Sequence, residues 1–366
     1  MKILITFMTA ESNTFGGVER SIFSLIDGLS KNGAQVYVYT ANRKEKLNNF
    51  FYSKYLISEI PTNINIIDET VLNNIKKYSN EITNEINKII EDIGIDYLLS
   101  VDQLWGITTG LDNLDHIICK KGIVFHMNFQ EDLINRALSI GYNNYFAVSD
   151  EIKSKINKQN KIIHLLPNSF VKEDFNTDDL NLDDYIFCNS RIADGKGIEF
   201  LVPAFAKYSQ IYQSTKLLLC GGYFHFGNRN KTLRKILQQV KDYKLMDKVI
   251  ILKKLGWHEI PQITKNAKMI ILPTQYESFG IAALEAMASG KFLIASRVGN
   301  LPALINAGGI LVDYGNVDQI YQAMLLYDNE GVRKKTTKNA VLQSSRYTSV
   351  EIAKNFIEII GGDINA

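Results

Sequence analysis

Between Met269 and Pro302 the chain reads MIILPTQYESFGIAALEAMASGKFLIASRVGNLP, and no other stretch restricts the fold as much. A short apolar run, Met269 to Leu272, predicts a buried strand, which Pro273 stops. A polar loop carrying Glu277 follows, and Ser278, Phe279 and Gly280 then lead into an Ala/Leu/Met-rich segment of helical periodicity. Gly290 ends that helix, and Phe292 to Ala295 makes a second buried strand. A strand, loop, helix and strand in this order form the building unit of a parallel α/β sheet.

Glu277 on the loop and Glu285 in the helix stand eight positions apart. That spacing places both along one side of a ligand lying across the helix N-terminus. There the amides from Phe279 to Ile281 point out without intrahelical partners and carry partial positive charge. Paired carboxylates are poor phosphate ligands but good acceptors for sugar hydroxyls, one on a transferred sugar and one on a ribose. Two glutamates at this spacing also arise by chance on solvated helices. The weight here comes from the setting, an apolar strand before and Phe-Gly and Glu-Ala-Met-Ala-Ser-Gly after.

The string E-S-F-G-x(4)-E-A-M-A-S-G-K-F-L-I-A-S resembles the E-x(7)-E signature of the retaining nucleotide-sugar glycosyltransferases of the GT-B fold, in particular glycosyltransferase family 4. The resemblance implies an α/β protein with two doubly wound, Rossmann-like domains facing a central cleft. The first would serve the acceptor and the second the nucleotide sugar, with a C-terminal helix crossing back to the first. It gives Glu277 the hydroxyls of the donor sugar and Glu285 the ribose, with Ser278, Phe279, Gly280 and Ile281 against the donor.

In the first half, Lys2 to Met8 predicts a strand, a polar loop ends in Gly16-Gly17, and apolar positions Ile22, Leu25, Ile26 and Leu29 recur at helical spacing until Asn32-Gly33. Val36 to Tyr39 is the next strand. Such a loop, at the carboxyl end of the first strand, lies where ligands sit in doubly wound domains. The adjacent glycines permit close backbone approach, or simply a turn; Gly-Gly-Val-Glu-Arg resembles the family's N-terminal glycine loop against the donor phosphates. Residues 42 to 68 are irregular, and Lys44, Lys46, Phe50, Phe51, Lys54 and Tyr55 form either a peripheral membrane surface or a solvated helix with one apolar face. Val71 to Ile93 reads as one long amphipathic helix. His126 follows the short strand Gly122 to Phe125; alone it is a structural histidine as readily as a functional one, and the resemblance implies contact with the donor sugar or its phosphate. Leu-Pro-Asn-Ser, ending at Ser169, resembles the family's P-N-G.

The polar, acidic stretch Lys172 to Asp184 is expected to link the domains. These run 1–171, linker 172–184, 185–345, and a crossing helix 346–366. After the strand Tyr185 to Cys188, Asn189-Ser-Arg-Ile-Ala-Asp-Gly-Lys-Gly197 carries Arg191 and Lys196 five positions apart. A planar fork and a mobile point charge together suit a diphosphate, and the segment resembles the family's G-R-x-x-x-x-K-G with Ser190 at the first glycine. The resemblance also places base-recognising backbone near Lys253 to Leu255, so Lys254 and Leu255 join the donor-binding set. The loop 223–230 departs from the family pattern, and Asn300-Leu-Pro-Ala303 lacks the glycine and glutamate of G-G-x-P-E.

Bulk numbers exclude several classes. Lys plus Arg number 41 against 39 Asp plus Glu, a net +2, which gives no basic footprint for nucleic acid. Cys119, Cys188 and Cys220 are scattered and lack C-x-x-C spacing, so neither a disulfide framework nor a zinc site is indicated. The N-terminal apolar run is too short for a secretory signal, and no run approaches the length of a membrane span. The expectation is a cytoplasmic enzyme, with the inner membrane face left open, that uses neither metal nor cofactor. Its partners are a nucleotide-sugar donor, with UDP the default base, and a hydroxyl acceptor: a glycan, a lipid-linked sugar, a protein or a small metabolite. A nucleotide-sugar 2-epimerase, a glycogen-synthase-like polymerase and a non-catalytic partner subunit are the rival readings.

Overall fold

The computed structural model describes residues 1–8, 17–42, 48–57, 69–103, 105–128, 131–156, 161–175, 184–221, 231–252, 255–256 and 258–364. Gly16, Lys44, Lys46, Lys254, the stretch 176–183 and the loop 223–230, all singled out above, lie outside the described residues. The chain divides into two compact units, Met1–Ser169 with Ser349–Ala366, and Phe170–Thr348.

In the first unit a seven-stranded sheet holds β1 (Lys2–Thr6), β2 (Gln35–Asn42), β3 (Phe50–Ile57), β4 (Tyr97–Val101), β5 (Lys120–Phe125), β6 (Asn144–Ala147) and β7 (Ile163–Leu165). They lie in the order 3-2-1-4-5-6-7, and every neighbouring pair is parallel. Parallel sheets are covered on both faces and so read as continuous rather than alternating apolar runs; Tyr-Leu-Leu-Ser-Val of β4 is buried at every position. The covering helices are α1 (Gly17–Lys31), α2 (Glu69–Lys77), α3 (Ser79–Ile93), α4 (Glu131–Ser139) and α5 (Asp150–Ile156). Ser149 caps α5 by accepting the Ile152 N–H at 3.2 Å.

The C-terminal helix, Ser349–Ile364, also belongs to this unit. It lies against α1 at Gly28, where an added Cβ would stand 1.9 Å from the Ser349 carbonyl oxygen and 2.9 Å from Ala353 Cβ. Its Phe356 meets the rings of Tyr97 and Phe146 at 5.9 and 5.2 Å.

Three expectations need correction. Residues 50–57 are neither irregular nor helical but the strand β3. Its Phe-Phe-Tyr-Ser-Lys-Tyr-Leu-Ile sequence favours a pleated surface, and Glu85 of α3 ties it down, accepting from Ser53 Oγ at 2.8 Å, the Lys54 N–H at 3.1 Å and the Tyr39 hydroxyl at 2.7 Å. The Val71–Ile93 helix is two helices broken at Tyr78, whose ψ of 32° leaves the helical range. Ser79 then turns outward from the helix interior to accept the Asp112 N–H at 2.8 Å. Finally, Lys172–Phe175 is not linker but a 3-10 turn of the second unit, with Phe175 buried against Phe170 at 5.8 Å. The unit starts at Phe170 because the Phe170 N–H donates to the Tyr347 carbonyl at 3.1 Å and Phe170 bridges Thr348.

The second unit carries β8 (Tyr185–Asn189), β9 (Lys216–Cys220), β10 (Val249–Leu252), β11 (Met269–Leu272), β12 (Phe292–Ser296) and β13 (Ile310–Val312), again all parallel. Their order is β10-β9-β8-β11-β12-β13. Around them lie α6 (Ile198–Ile211), α7 (Lys231–Asp242), α8 (Glu259–Asn266), α9 (Ile281–Ala288), α10 (Leu301–Ile305), α11 (Val317–Leu325) and α12 (Glu330–Ser344). Phe205, Leu219, Ile271, Phe292, Ile294 and Met324 are among the fully buried side chains of this core. In both sheets the strand order runs outward both ways from one inner pair, β1 and β4 in the first unit and β8 and β11 in the second. The carboxyl ends of such a pair are where doubly wound sheets bind ligands. No helix among the described residues is long and apolar enough to cross a membrane.

Lys291, at the entrance to β12, is only 3 % exposed, and burial pushes its ammonium down to about 8. The folded state therefore holds fewer protons than the unfolded chain between about pH 8 and the ordinary lysine range. The cost of the buried charge is complete below pH 8 and is relieved as pH rises. Lys291→Met should stabilise the protein at pH 7 by about 2 kcal/mol, with the gain shrinking toward pH 10. Thermal midpoints of parent and variant at the two pH values check both points.

Candidate functional site

In the second unit the loops leaving β8 and β11 meet at the reversal of strand order. Two glycines on the β8 loop make this possible. Gly195 and Gly197 have φ of +77° and +68°, and a Cβ on Gly197 would stand 1.8 Å from the Pro273 carbonyl oxygen. Only glycine combines that dihedral with that approach. The loops are joined by the Gln275 N–H donating to the Gly195 carbonyl at 2.7 Å. The Thr274 hydroxyl has the Gly195 and Tyr276 carbonyls within reach, at 3.3 and 3.0 Å.

On this scaffold Lys196 and Glu277 come together. Lys196 Nζ lies 3.2 Å from Glu277 Oε2 and 3.5 Å from Thr274 Oγ1. Both side chains are partly exposed, at 22 and 29 %, so the pair faces a space a ligand can reach and is screened by water. Arg191 is exposed on the same β8 loop, but no contact joins it to this pair among the described residues. Its turn is fixed by Gly221, where a Cβ would stand 2.1 Å from the Ser190 carbonyl oxygen.

Glu285 lies on α9 and is 5 % exposed. A carboxylate inside Ile-Ala-Ala-Leu-Glu-Ala-Met-Ala is the kind of buried charge that requires a reason. Gly280, with φ of +104°, is the residue before the helix, and the first helical bond runs from the Leu284 N–H to the Gly280 carbonyl. The open amides are therefore those of Ile281, Ala282 and Ala283, two positions beyond the expected Phe279 to Ile281. Phe279 itself is buried, its ring 5.8 Å from that of Tyr347. Ser278 is half-buried beside Glu277.

Asn300 was not among the expected site residues, yet it positions this loop. Its N–H donates to the Glu277 carbonyl at 3.0 Å and its side-chain amide to the Phe279 carbonyl at 3.0 Å. Gly299, with φ of +51°, comes so close to Glu277 that a Cβ would stand 2.1 Å from its carbonyl oxygen. The only sequence signal was an asparagine where a second glycine was expected. Leu255 is half-buried in a short described stretch after β10, and Gly17 is exposed at the start of α1.

In the first unit His126 follows β5 and is 5 % exposed. Burial lowers its imidazole to about 3, so it is neutral across the physiological range. Its backbone N–H donates to Asp102 Oδ2 at 3.2 Å. Asp102 is fully buried with φ of +72°, and its own N–H donates to the Val124 carbonyl at 2.7 Å. Asp102 is the second residue sequence reasoning missed; an aspartate directly after the apolar run of β4 was its signal. Nearby, Ile107 has φ of 60° and ψ of −58°, and the Thr108 N–H donates to the Gly106 carbonyl at 2.5 Å. This is a γ-turn of the rarer, strained hand on a β-branched residue. The same carbonyl accepts from Thr6 Oγ1 at 2.8 Å and Ser100 Oγ at 2.7 Å, which ties the ends of β1 and β4 together. Among the described residues no group of three or more His, Cys, Asp or Glu side chains is placed to hold a metal ion.

Residues 171–343 match the family model of the glycosyl transferases group 1. Over 171 residues the chain is 30% identical to a D-inositol 3-phosphate glycosyltransferase of Corynebacterium urealyticum, covering 45% of this chain and 39% of that protein. It thus spans less than half the length of the curated relatives it matches. Among solved structures, a sucrose-phosphate synthase from Thermosynechococcus elongatus superposes with a TM-score of 0.79 at 18% identity, covering 99% of this chain and 98% of that one. Anabaena Alr3699/HepE in complex with UDP and glucose gives 0.73 at 15% identity, over 99% of each chain. The fold is that of the GT-B glycosyltransferases.

Because the folded His126 imidazole binds its proton far less readily than the unfolded one, His126 contributes stability above about pH 6.5 that is lost as pH falls toward 3. Its NMR signals should show no protonation between pH 8 and pH 5. A midpoint near the ordinary histidine value would contradict the buried, neutral assignment.

Proposed function

We propose that the protein transfers a sugar from a nucleotide diphosphate sugar, a UDP-sugar such as UDP-GlcNAc or UDP-glucose, to a hydroxyl acceptor. Transfer retains the anomeric configuration, requires no metal ion, and serves glycan or glycoconjugate synthesis. The observation that carries this reading is the Lys196–Glu277 pair at the carboxyl ends of β8 and β11. The match of residues 171–343 to glycosyl transferases group 1 supports it, and UDP is favoured because the Anabaena neighbour is a complex with UDP and glucose.

In the reaction the bond from the sugar C1 to the phosphate oxygen breaks and a bond from C1 to the acceptor oxygen forms. The acceptor proton passes to the departing phosphate. Negative charge grows on the diphosphate, and Lys196, Arg191 and the open amides of Ile281 to Ala283 are the groups that meet it. Charge-assisted hydrogen bonds of this kind are worth roughly 1.5–3 kcal/mol each, and fixed donors act mainly on the transition state. Glu277 holds the Lys196 ammonium and accepts from hydroxyls of the donor sugar. Glu285 accepts from the ribose. His126, being neutral, offers hydrogen bonds to a hydroxyl rather than charge to a phosphate.

Lys196→Ala should leave the thermal midpoint of the unliganded protein nearly unchanged and lower turnover about 100-fold or more, by analogy with loss of one oxyanion donor. Turnover within about threefold of the parent removes Lys196 from the mechanism. Activity should persist in excess chelator. In a thermal-shift screen of UDP, GDP, ADP and their sugars, a UDP compound at 100 times its dissociation constant should add about 2.7 kcal/mol of stability.

A further inference from the structure

Asn300 holds the loop ahead of α9 with two different groups. Its backbone N–H donates to the Glu277 carbonyl at 3.0 Å, a bond that any residue but proline could make there. Its side-chain Nδ2 donates to the Phe279 carbonyl at 3.0 Å, and for that the carboxamide is needed. Asn300 is 8 % exposed, so the second bond is made away from bulk water. A glycine at this position, as in the G-G-x-P-E pattern, would keep the first bond and lose the second.

That second bond fixes a peptide plane. Gly280 has φ of +104° and ψ of 55°, a conformation in which a glycine has no side chain to restrain it. The peptide joining Phe279 to Gly280 is trans and planar, so its carbonyl and its N–H point in opposite directions. With the carbonyl held on the buried Asn300, the Gly280 N–H is turned to the opposite side of the loop. Leu301 and Leu304 of α10, each 1 % exposed, close the space next to Gly280: a Cβ there would stand 2.5 and 3.3 Å from their Cδ2 atoms. Turning the plane over would set the Gly280 N–H against the Asn300 amide and take the Phe279 carbonyl off its donor.

We propose that Asn300 is a positioning residue for sugar transfer: its carboxamide aims the Phe279–Gly280 peptide so that the Gly280 N–H joins the open amides of Ile281 to Ala283 in meeting the departing diphosphate. The assignment rests on the transfer reading above and adds to it a side chain that acts through the loop rather than on the donor. Because one residue holds both Glu277 and Phe279, it also sets the spacing between the carboxylate and the amides. Small misplacements of such groups are costly to turnover.

The test is UDP release from UDP-glucose and UDP-GlcNAc by the full chain, with water as acceptor, at pH 8 and pH 5. Asn300→Ala keeps the backbone bond to Glu277. Its kcat should fall about tenfold or more while KM for the nucleotide sugar stays within about twofold of the parent, since the amide meets charge that grows after binding. Asn300→Asp has the same shape, but as a carboxylate it cannot donate to the Phe279 carbonyl. Burial raises a carboxyl at this position, and the Glu277 carboxylate on the loop it touches acts in the same direction, offset in part by Lys196. Relative to the parent at the same pH, turnover of this variant should be lowest at pH 8 and recover about fivefold or more at pH 5, where the protonated acid donates as the amide does. The proposal fails if Asn300→Ala releases UDP within about threefold of the parent or loses only in KM, or if Asn300→Asp does not recover at pH 5. Should Asn300→Ala not fold, the recovery of Asn300→Asp decides; should neither fold, Asn300 serves the fold alone and the proposal is overturned. A parent that releases UDP from neither sugar and is stabilised by no UDP compound refutes the transfer reading itself, whereas an active parent with indifferent variants refutes only the role of Asn300.

Discussion

The close approach of the β8 and β11 loops is the constraint on which the second unit's chemistry depends. It rests on backbone rather than on charge. Gly197 lets the chain pass the Pro273 carbonyl at a distance no side chain tolerates, and the Gln275 N–H closes the contact on Gly195. Only then do Lys196 and Glu277 face each other at 3.2 Å. The ion pair is a product of the loop packing, not its cause, since a partly exposed pair contributes little to stability. Asn300 and Gly299 brace Glu277 from the other side, so the carboxylate is placed by main-chain contacts before any ligand arrives.

The first unit solves the same problem differently. Where the second uses two left-handed glycines, the first gathers three donors on the Gly106 carbonyl and holds Ile107 in a strained turn. The buried Asp102 then fixes the backbone of His126, whose imidazole is kept uncharged by its surroundings. Positively charged groups thus accompany the segment that matches the glycosyl transferases group 1 model, and a neutral, desolvated histidine marks the carboxyl edge of the other sheet.

Much of this was legible in the amino-acid order. Continuous apolar runs such as Met-Ile-Ile-Leu gave the parallel strands, and glycines flanking Lys196 marked a loop that had to pass close to another. What escaped was set by partners distant in sequence. β3 exists because Glu85, on α3, anchors Ser53 and Lys54. The break at Tyr78 depends on Asp112 reaching Ser79. The start of α9 slipped because Gly280 takes a φ of +104°, which periodicity does not reveal. Asp102 and Asn300 were missed for the same reason: each acts on a backbone brought near by the fold.

The return of the C-terminal helix to the first unit has a consequence for how the chain matures. Phe356 fills space between Tyr97 and Phe146, and Gly28 leaves room for Ser349. Domains usually complete themselves in the order of synthesis. Here the earlier sheet stays unfinished until residues beyond Ser349 leave the ribosome, whereas Phe170 to Thr348 can close on itself first. The nascent amino-terminal half must therefore wait with an open apolar socket on its surface, and its exposure to chaperones lasts as long as translation of the rest.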